Sequence, residues 1–95
     1  MGVYVVMSRL TSEGRKTMKT RPERLKEVNK DIVKMGGKIV HQYALLGKYD
    51  FLTVLEAADN ETVGRIMVEL GARGTLETVT MAAMPVEDFL DSLSK

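Results

Sequence analysis

The sequence contains no cysteine, which excludes disulfides, a thiol nucleophile and any thiolate metal site. It has no tryptophan and only three Tyr and two Phe, too few for the stacked aromatic rows that carry many nucleic-acid surfaces. A single histidine, His41, argues against a zinc centre, and no Asp-rich calcium loop is present. Neither a metal nor an organic cofactor is expected. No apolar run approaches the ~20 residues that cross a bilayer, so no membrane association is expected. The opening "MGVYVVM" has neither a basic n-region nor a small-residue cleavage site, and position 6 is Val where a myristoylation motif needs Ser or Thr. A cytoplasmic location is the expectation. The chain also lacks a charge excess: the net value is +1, which provides no general attraction to nucleic acid or acidic lipid.

What is present is an ordinary globular composition. Hydrophobic residues make up 44% and charged residues 28% of 95, consistent with one domain over 1–95 and one core. The charge is unevenly placed. Through Lys48 there are eleven Lys and Arg against four Asp and Glu, and from Tyr49 onward three against nine. Complementary faces meeting within the fold or between subunits explain that division, as does a basic rim that binds anions.

The β-branched and aromatic stretch "VYVVMSRL" predicts a strand over 3–10. "TSEGRKTMKT" follows as a polar, basic loop with at most a helical turn. Thr20, Pro22 and Glu23 have the spacing of a capping box. The helix they would open carries Leu25, Val28, Ile32 and Met35 on one stripe and stops at Gly36-Gly37. Strands are predicted over 38–46 and 51–57, joined by a short Gly47-Lys48-Tyr49-Asp50 turn. Asp59 caps a second helix with Val63, Ile66, Met67 and Leu70 on one face. A fourth strand, "TLETVTMAA", and a short helix opened by Pro85 with Val86, Phe89, Leu90 and Leu93 complete the chain. The order βαββαβ is the ferredoxin-like α+β arrangement: a four-stranded antiparallel sheet in the order 4-1-3-2, both long helices on one face, and an extra C-terminal helix.

Taken together, Gly47, Tyr49 and Asp50 inside this frame, with "TSEG" after the first strand, "FLTVLEAAD" after the turn and "TLETVTMAA" in the last strand, resemble the GYD-domain family, named for its Gly-Tyr-Asp signature. Family members often carry Pro near the end of strand 3 where this chain has Ala58, a departure that should alter the turn and not the fold. The resemblance implies the dimeric α+β-barrel version of the fold and brings no established activity with it.

The residues argue independently for a homo-oligomer. Two helices cover only one face of a sheet, and strands 2 and 3 are apolar in both parities, with Ile39 and Leu45 opposing Val40, Ala44 and Leu46, and Leu52 and Val54 opposing Phe51 and Leu55. Burying ~500 Å² of apolar area per copy would yield on the order of 10 kcal/mol before association costs. The C-terminal helix could instead cover part of that face. By parity, Ile39, His41 and Tyr43 share a face with Asp50, Leu52, Val54 and Glu56, and a four-residue turn places His41 opposite Glu56. That face, with Thr78 and Thr80, is expected to be the helix-free one.

Three functions fit. The first is a small, partly apolar molecule held between facing sheets, contacted by Tyr43, Thr78 and Thr80, with Tyr49, Asp50 and Arg9 near the entrance. Any catalysis there would be cofactor-independent and would fall to His41 as general base oriented by Glu56. The second is an assembly module with no ligand, in which Asp50 caps a turn, Tyr49 lids the core edge and the methionines fill gaps. The third is RNA binding, which this frame also serves. Tyr4 and Phe51 on the central strands lack the Lys/Arg-Gly-Phe/Tyr signature it needs, so nucleic acid is not expected. Gly37-Lys38 follows a helix and opens a strand, the reverse of a phosphate loop.

Overall fold

Alternation along the first strand decides the layering. In β1 (Gly2–Leu10), Tyr4, Val6 and Ser8 are buried while their neighbours are only partly covered or exposed, the period of a strand with one packed face. A computed structural model describes residues 1–94. The elements after β1 are α1 (Ser12–Thr20), α2 (Arg24–Lys34), β2 (Lys38–Ala44), β3 (Phe51–Ala57), α3 (Asn60–Ala72), β4 (Leu76–Ala83) and α4 (Val86–Leu93). The strands form one antiparallel sheet in the order β2-β3-β1-β4, which is 4-1-3-2 from the other edge. The fold is ferredoxin-like α+β, as the pattern predicts.

The core lies between this sheet and α2 and α3. Tyr4, Val6, Leu55 and Ala57 from the central strands meet Ile32 of α2 and Val63, Ile66 and Leu70 of α3, with Val28, Met35, Ile39 and Met67 packed around them. The helical stripes are therefore those the spacing predicts.

The first crossover differs from its expectation. It holds two helices where the sequence suggests a loop followed by one helix. Thr11 is the N-cap of α1, its hydroxyl accepting from the Gly14 N–H at 3.1 Å. The Thr11 N–H and hydroxyl donate to the Thr75 and Gly74 carbonyls at 3.0 and 2.7 Å. Gly14 is buried against this junction, where a Cβ would lie 2.1 Å from the Thr75 oxygen. The capping box at Thr20 does not form. Arg21, preceding Pro22, is held out of the helical region at φ −141°, ψ 68°, as the proline ring requires. Thr20 thus ends α1, its hydroxyl donating to the Lys16 carbonyl at 2.9 Å, and α2 begins at Arg24 with Glu23 at the N-cap position and no side-chain cap.

At α3 the cap forms as expected. Asp59 accepts from the Thr62 N–H at 2.9 Å and hydroxyl at 2.7 Å. These bonds, the hydroxyl's first, hold the Asp59 carboxyl below its ordinary pKa against slight desolvation, with Arg65 adding attraction.

The β2-β3 hairpin holds the second difference. Its connection spans 45–50, six residues, and the pairing Tyr43↔Leu52 and His41↔Val54 gives way to Ile39↔Leu55 and Lys38↔Glu56 across an irregularity between Ile39 and His41. One extra residue there, Val40, makes a bulge on an edge strand, where bulges commonly blunt further pairing.

Two outcomes are expected. Gly14→Ala should cost about 1–3 kcal/mol, since backbone on both sides resists movement, and lower Tm by roughly 5–20 °C. Asp59→Ala should destabilise at neutral pH. Because the native pKa is lowered, the cap's contribution is complete above the unfolded value of about 3.9 and is lost as pH falls through the native one; chemical denaturation at several pH values should show the two proteins converging in acid.

Candidate functional site

Two places gather the polar residues singled out from the sequence: the hairpin end of the sheet and its helix-free face. At the hairpin end, Gly47 has φ 126°, a left-handed conformation open to glycine, and lets the chain reverse between β2 and β3. Lys48 places its ammonium 5.7 Å from the centre of the Tyr49 ring. Asp50 is committed to backbone. Its Oδ2 accepts from the Leu10 N–H at 2.8 Å, its own N–H donates to the Ser8 carbonyl at 2.8 Å, and its carbonyl accepts from the Leu45 N–H at 2.7 Å. The carboxylate thus clamps the last residue of β1 to the hairpin.

Two arginines are engaged as well. Arg9 forms an ion pair with Glu77 across the β1-β4 pairing at 3.0 Å. Arg73 lies between Asp31 of α2 at 2.9 Å and Glu69 of α3 at 3.2 Å. Desolvation alone would lower its pKa, but the two carboxylates outweigh it and raise the value, so Arg73 is a fixed cationic tie between the helices.

The helix-free face is apolar through its centre. Pairing aligns Val5 with Val54 and Met81, and Met7 with Leu52 and Val79, all on the side opposite the buried Tyr4, Val6, Thr53 and Leu55. Val79 and Met81 remain 47% exposed, and Tyr43 57%. His41 and Tyr43 stand side by side at the β2 edge of this face, ring centres 6.3 Å apart and nearly parallel.

The structure revises several placements. His41 faces Val54 across the hairpin, while Glu56 pairs with Lys38, whose ammonium lies 3.8 Å from its carboxylate. A His41–Glu56 acid–base pair is therefore not assembled. Its absence follows from the longer turn and the bulge, which move the register by two residues and then by a third. The same bulge returns Ile39 to the helix side, where it packs on the core. Thr78 and Thr80 pair with Ser8 and Val6 and so also lie on the helix side. There they line a shallow groove beside α3 with Tyr4, Asn60 and Met67. Tyr43, Arg9, His41 and Glu56 are on the helix-free face; Tyr49 and Asp50 are at its hairpin end.

One polar group escaped the sequence reading. Gln42 turns inward, exchanging hydrogen bonds with Asn29 of α2 at 2.8 and 3.2 Å and donating to the buried Thr53 hydroxyl at 3.1 Å. Only its alternation with His41 and Tyr43 could have signalled this. A cleft of about 90 Å³ opens nearby between α1, α2 and the sheet end, lined chiefly by Leu10, Met18, Arg24, Leu25, Phe51 and Leu76. Arg24 at its mouth is paired with Glu27 at 2.6 Å. Among the described residues no cluster of three or more His, Asp or Glu is placed to hold a metal ion, and no helix is long and apolar enough to cross a membrane.

A model of the GYD domain matches residues 4–93. The chain belongs to the GYD-domain family. It is 45% identical over 94 residues to the glutamine synthetase and cystathionine beta-lyase binding protein of Thermus thermophilus, covering 98% of this chain and 99% of that one. Solved structures share the fold at lower identity. MtbAldR superposes with a TM-score of 0.65 at 18% identity over 88% of this chain, which spans about half (52%) of the AldR chain. A further Thermus thermophilus protein superposes at 0.56 with 20% identity, over 90% of this chain and 95% of that one. An Arabidopsis thaliana protein does so at 0.56 with 13% identity and the same coverage. In this GYD domain the signature aspartate is a backbone clamp. Asp50→Ala should accordingly cost about 1–3 kcal/mol, measured by denaturant unfolding. Asp50→Asn, which keeps an acceptor for the Leu10 N–H, should recover part of the loss.

Proposed function

We propose that this GYD-domain protein is a self-associating binding module: two copies lay their helix-free faces together, and the paired body docks on a metabolic enzyme. The observation that carries this reading is the free face itself. Val5, Met7, Leu52, Val54, Val79 and Met81 form an unbroken apolar wall, while the ion pairs Arg9–Glu77 and Lys38–Glu56 stand at its two ends. An apolar centre with a charged rim is the anatomy of a protein contact, and exposed apolar surface of this extent on a small domain marks an interaction site.

The enzyme half of the reading rests on the 45% identical relative, whose described role is to bind glutamine synthetase and cystathionine beta-lyase. It is also favoured by the hairpin tip, where Leu46 is wholly exposed beside the Lys48–Tyr49 pair, a compact apolar knob next to an aromatic of the kind that anchors interfaces. A small, partly apolar molecule between the faces is a second reading. The stacked His41 and Tyr43 at the edge of the wall favour it, as a few polar groups on an apolar lining are the usual composition of a ligand pocket.

Light scattering should give a mass of twice 10.6 kDa at micromolar concentration. Val54→Glu should return the single-chain mass with unchanged helix content, and a wild type that stays single would refute the pairing. Leu46→Glu should leave the mass alone and weaken binding to purified glutamine synthetase or cystathionine beta-lyase by about tenfold or more. Unaltered binding would remove the hairpin tip from the contact. A thermal shift on adding a metabolite panel would support the second reading.

A further inference from the structure

The last helix stands apart from the body that precedes it. α4 carries Val86, Phe89, Leu90 and Leu93 on one stripe, these side chains are 46–70% exposed, and none of its residues is buried. The protein measures 53 Å along its longest axis, whereas the nine-residue β1 accounts for only about 30 Å. α4 therefore extends beyond the sheet and leaves the free face of its own chain uncovered. Eight residues are too few for a stable isolated helix in water. Glu87 and Asp88 in the first turn suit the helix dipole, but such contacts add little at an exposed site. The stripe needs a surface to pack on.

We infer that α4 is an exchange arm, which seats its apolar stripe on a second copy of this chain along the β4 side of that copy's free face. The inference rests on the pairing of free faces proposed above and adds the element that fastens it. Continuity is the first argument. Val79 and Met81 belong to the free face, and β4 runs through the exposed Met84 and Pro85 directly into α4. The apolar surface of the pairing face and that of the arm are thus one strip, and the body that covers the first part is placed to receive the second. Reach is the second argument. No residue of α4 is buried and the arm extends past its own sheet, so a second copy, and not its own body, receives the stripe.

Two measurements on the full chain decide the matter. The first compares dimer dissociation of the wild type and of Phe89→Ser/Leu93→Ser by sedimentation. The variant should dissociate at a concentration about tenfold or more higher, with unchanged thermal stability of the single chain, since α4 contributes nothing to the core. The second uses the absence of native cysteine. Phe89→Cys and Met81→Cys chains, mixed and oxidised, should form a disulfide between one chain of each kind. A disulfide within a single chain carrying both substitutions would show the arm folded on its own sheet and overturn the inference. So would a wild type and variant that dissociate alike with no mixed disulfide, which would leave face pairing intact. A wild type that is single at high micromolar concentration would remove the pairing as well.

Discussion

A sheet has two faces, and in this chain the helices α2 and α3 cover only one of them. Everything else in the architecture follows from that asymmetry. The covered face carries the whole core, closed by Leu55 and Ile66, the two large side chains most completely removed from water. The uncovered face carries side chains of the same chemical kind, Val5, Met7, Leu52 and Val54, between rims of paired charge. Its apolar character has no counterpart within the protomer, because the third helix available for the task, α4, leaves in another direction.

The two short motifs that mark the family likeness describe one junction. Asp50 holds the N–H of Leu10, and the next residue, Thr11, is held by the carbonyls of Thr75 and Gly74. The end of β1 is thereby fixed from its two sides, by the β2-β3 hairpin and by the loop entering β4. Gly14 completes the lock, since only a residue without a Cβ can approach the Thr75 carbonyl so closely. The Thr11 hydroxyl and the Asp50 carboxylate both spend their hydrogen bonds on holding the central strand.

What the sequence disclosed follows from the range of the forces involved. Strands, helices and the stripes of α2 and α3 depend on periodicity within a few residues, and the βαββαβ order with its sheet topology was legible from them. The Asp59 cap was legible for the same reason. The Thr20 capping box matched its pattern yet lost to a neighbour, because Arg21 before Pro22 cannot stay helical. The membership of the helix-free face is only partly legible, since hairpin register depends on turn length and on a bulge that no local pattern announces. One inserted residue at Val40 separated Ile39 from His41, and the register change gave Glu56 to Lys38. Polarity places Thr78 and Thr80 on the open side, but a threonine at the edge of a covered face, opposite Ser8 and Val6, satisfies the same polarity argument. The Gln42 network was illegible because a glutamine on an edge strand is ordinarily a surface residue, and only the arrival of Asn29 from α2 turns it inward.

The division of charge along the chain acquires a structural meaning at this point. The basic first half and the acidic second half meet inside the protomer through Arg9–Glu77 and Lys38–Glu56, both of which pair a base from before residue 49 with an acid from after it. Pairs this exposed contribute little to stability. Their arrangement matters more for what they border, since they frame the apolar face with groups already neutralised and so lower the electrostatic cost of bringing a second identical face against it. The acids of α4 are not used in this framing. The body closes its own fold without α4, which keeps three carboxylates and an exposed apolar stripe outside that closure.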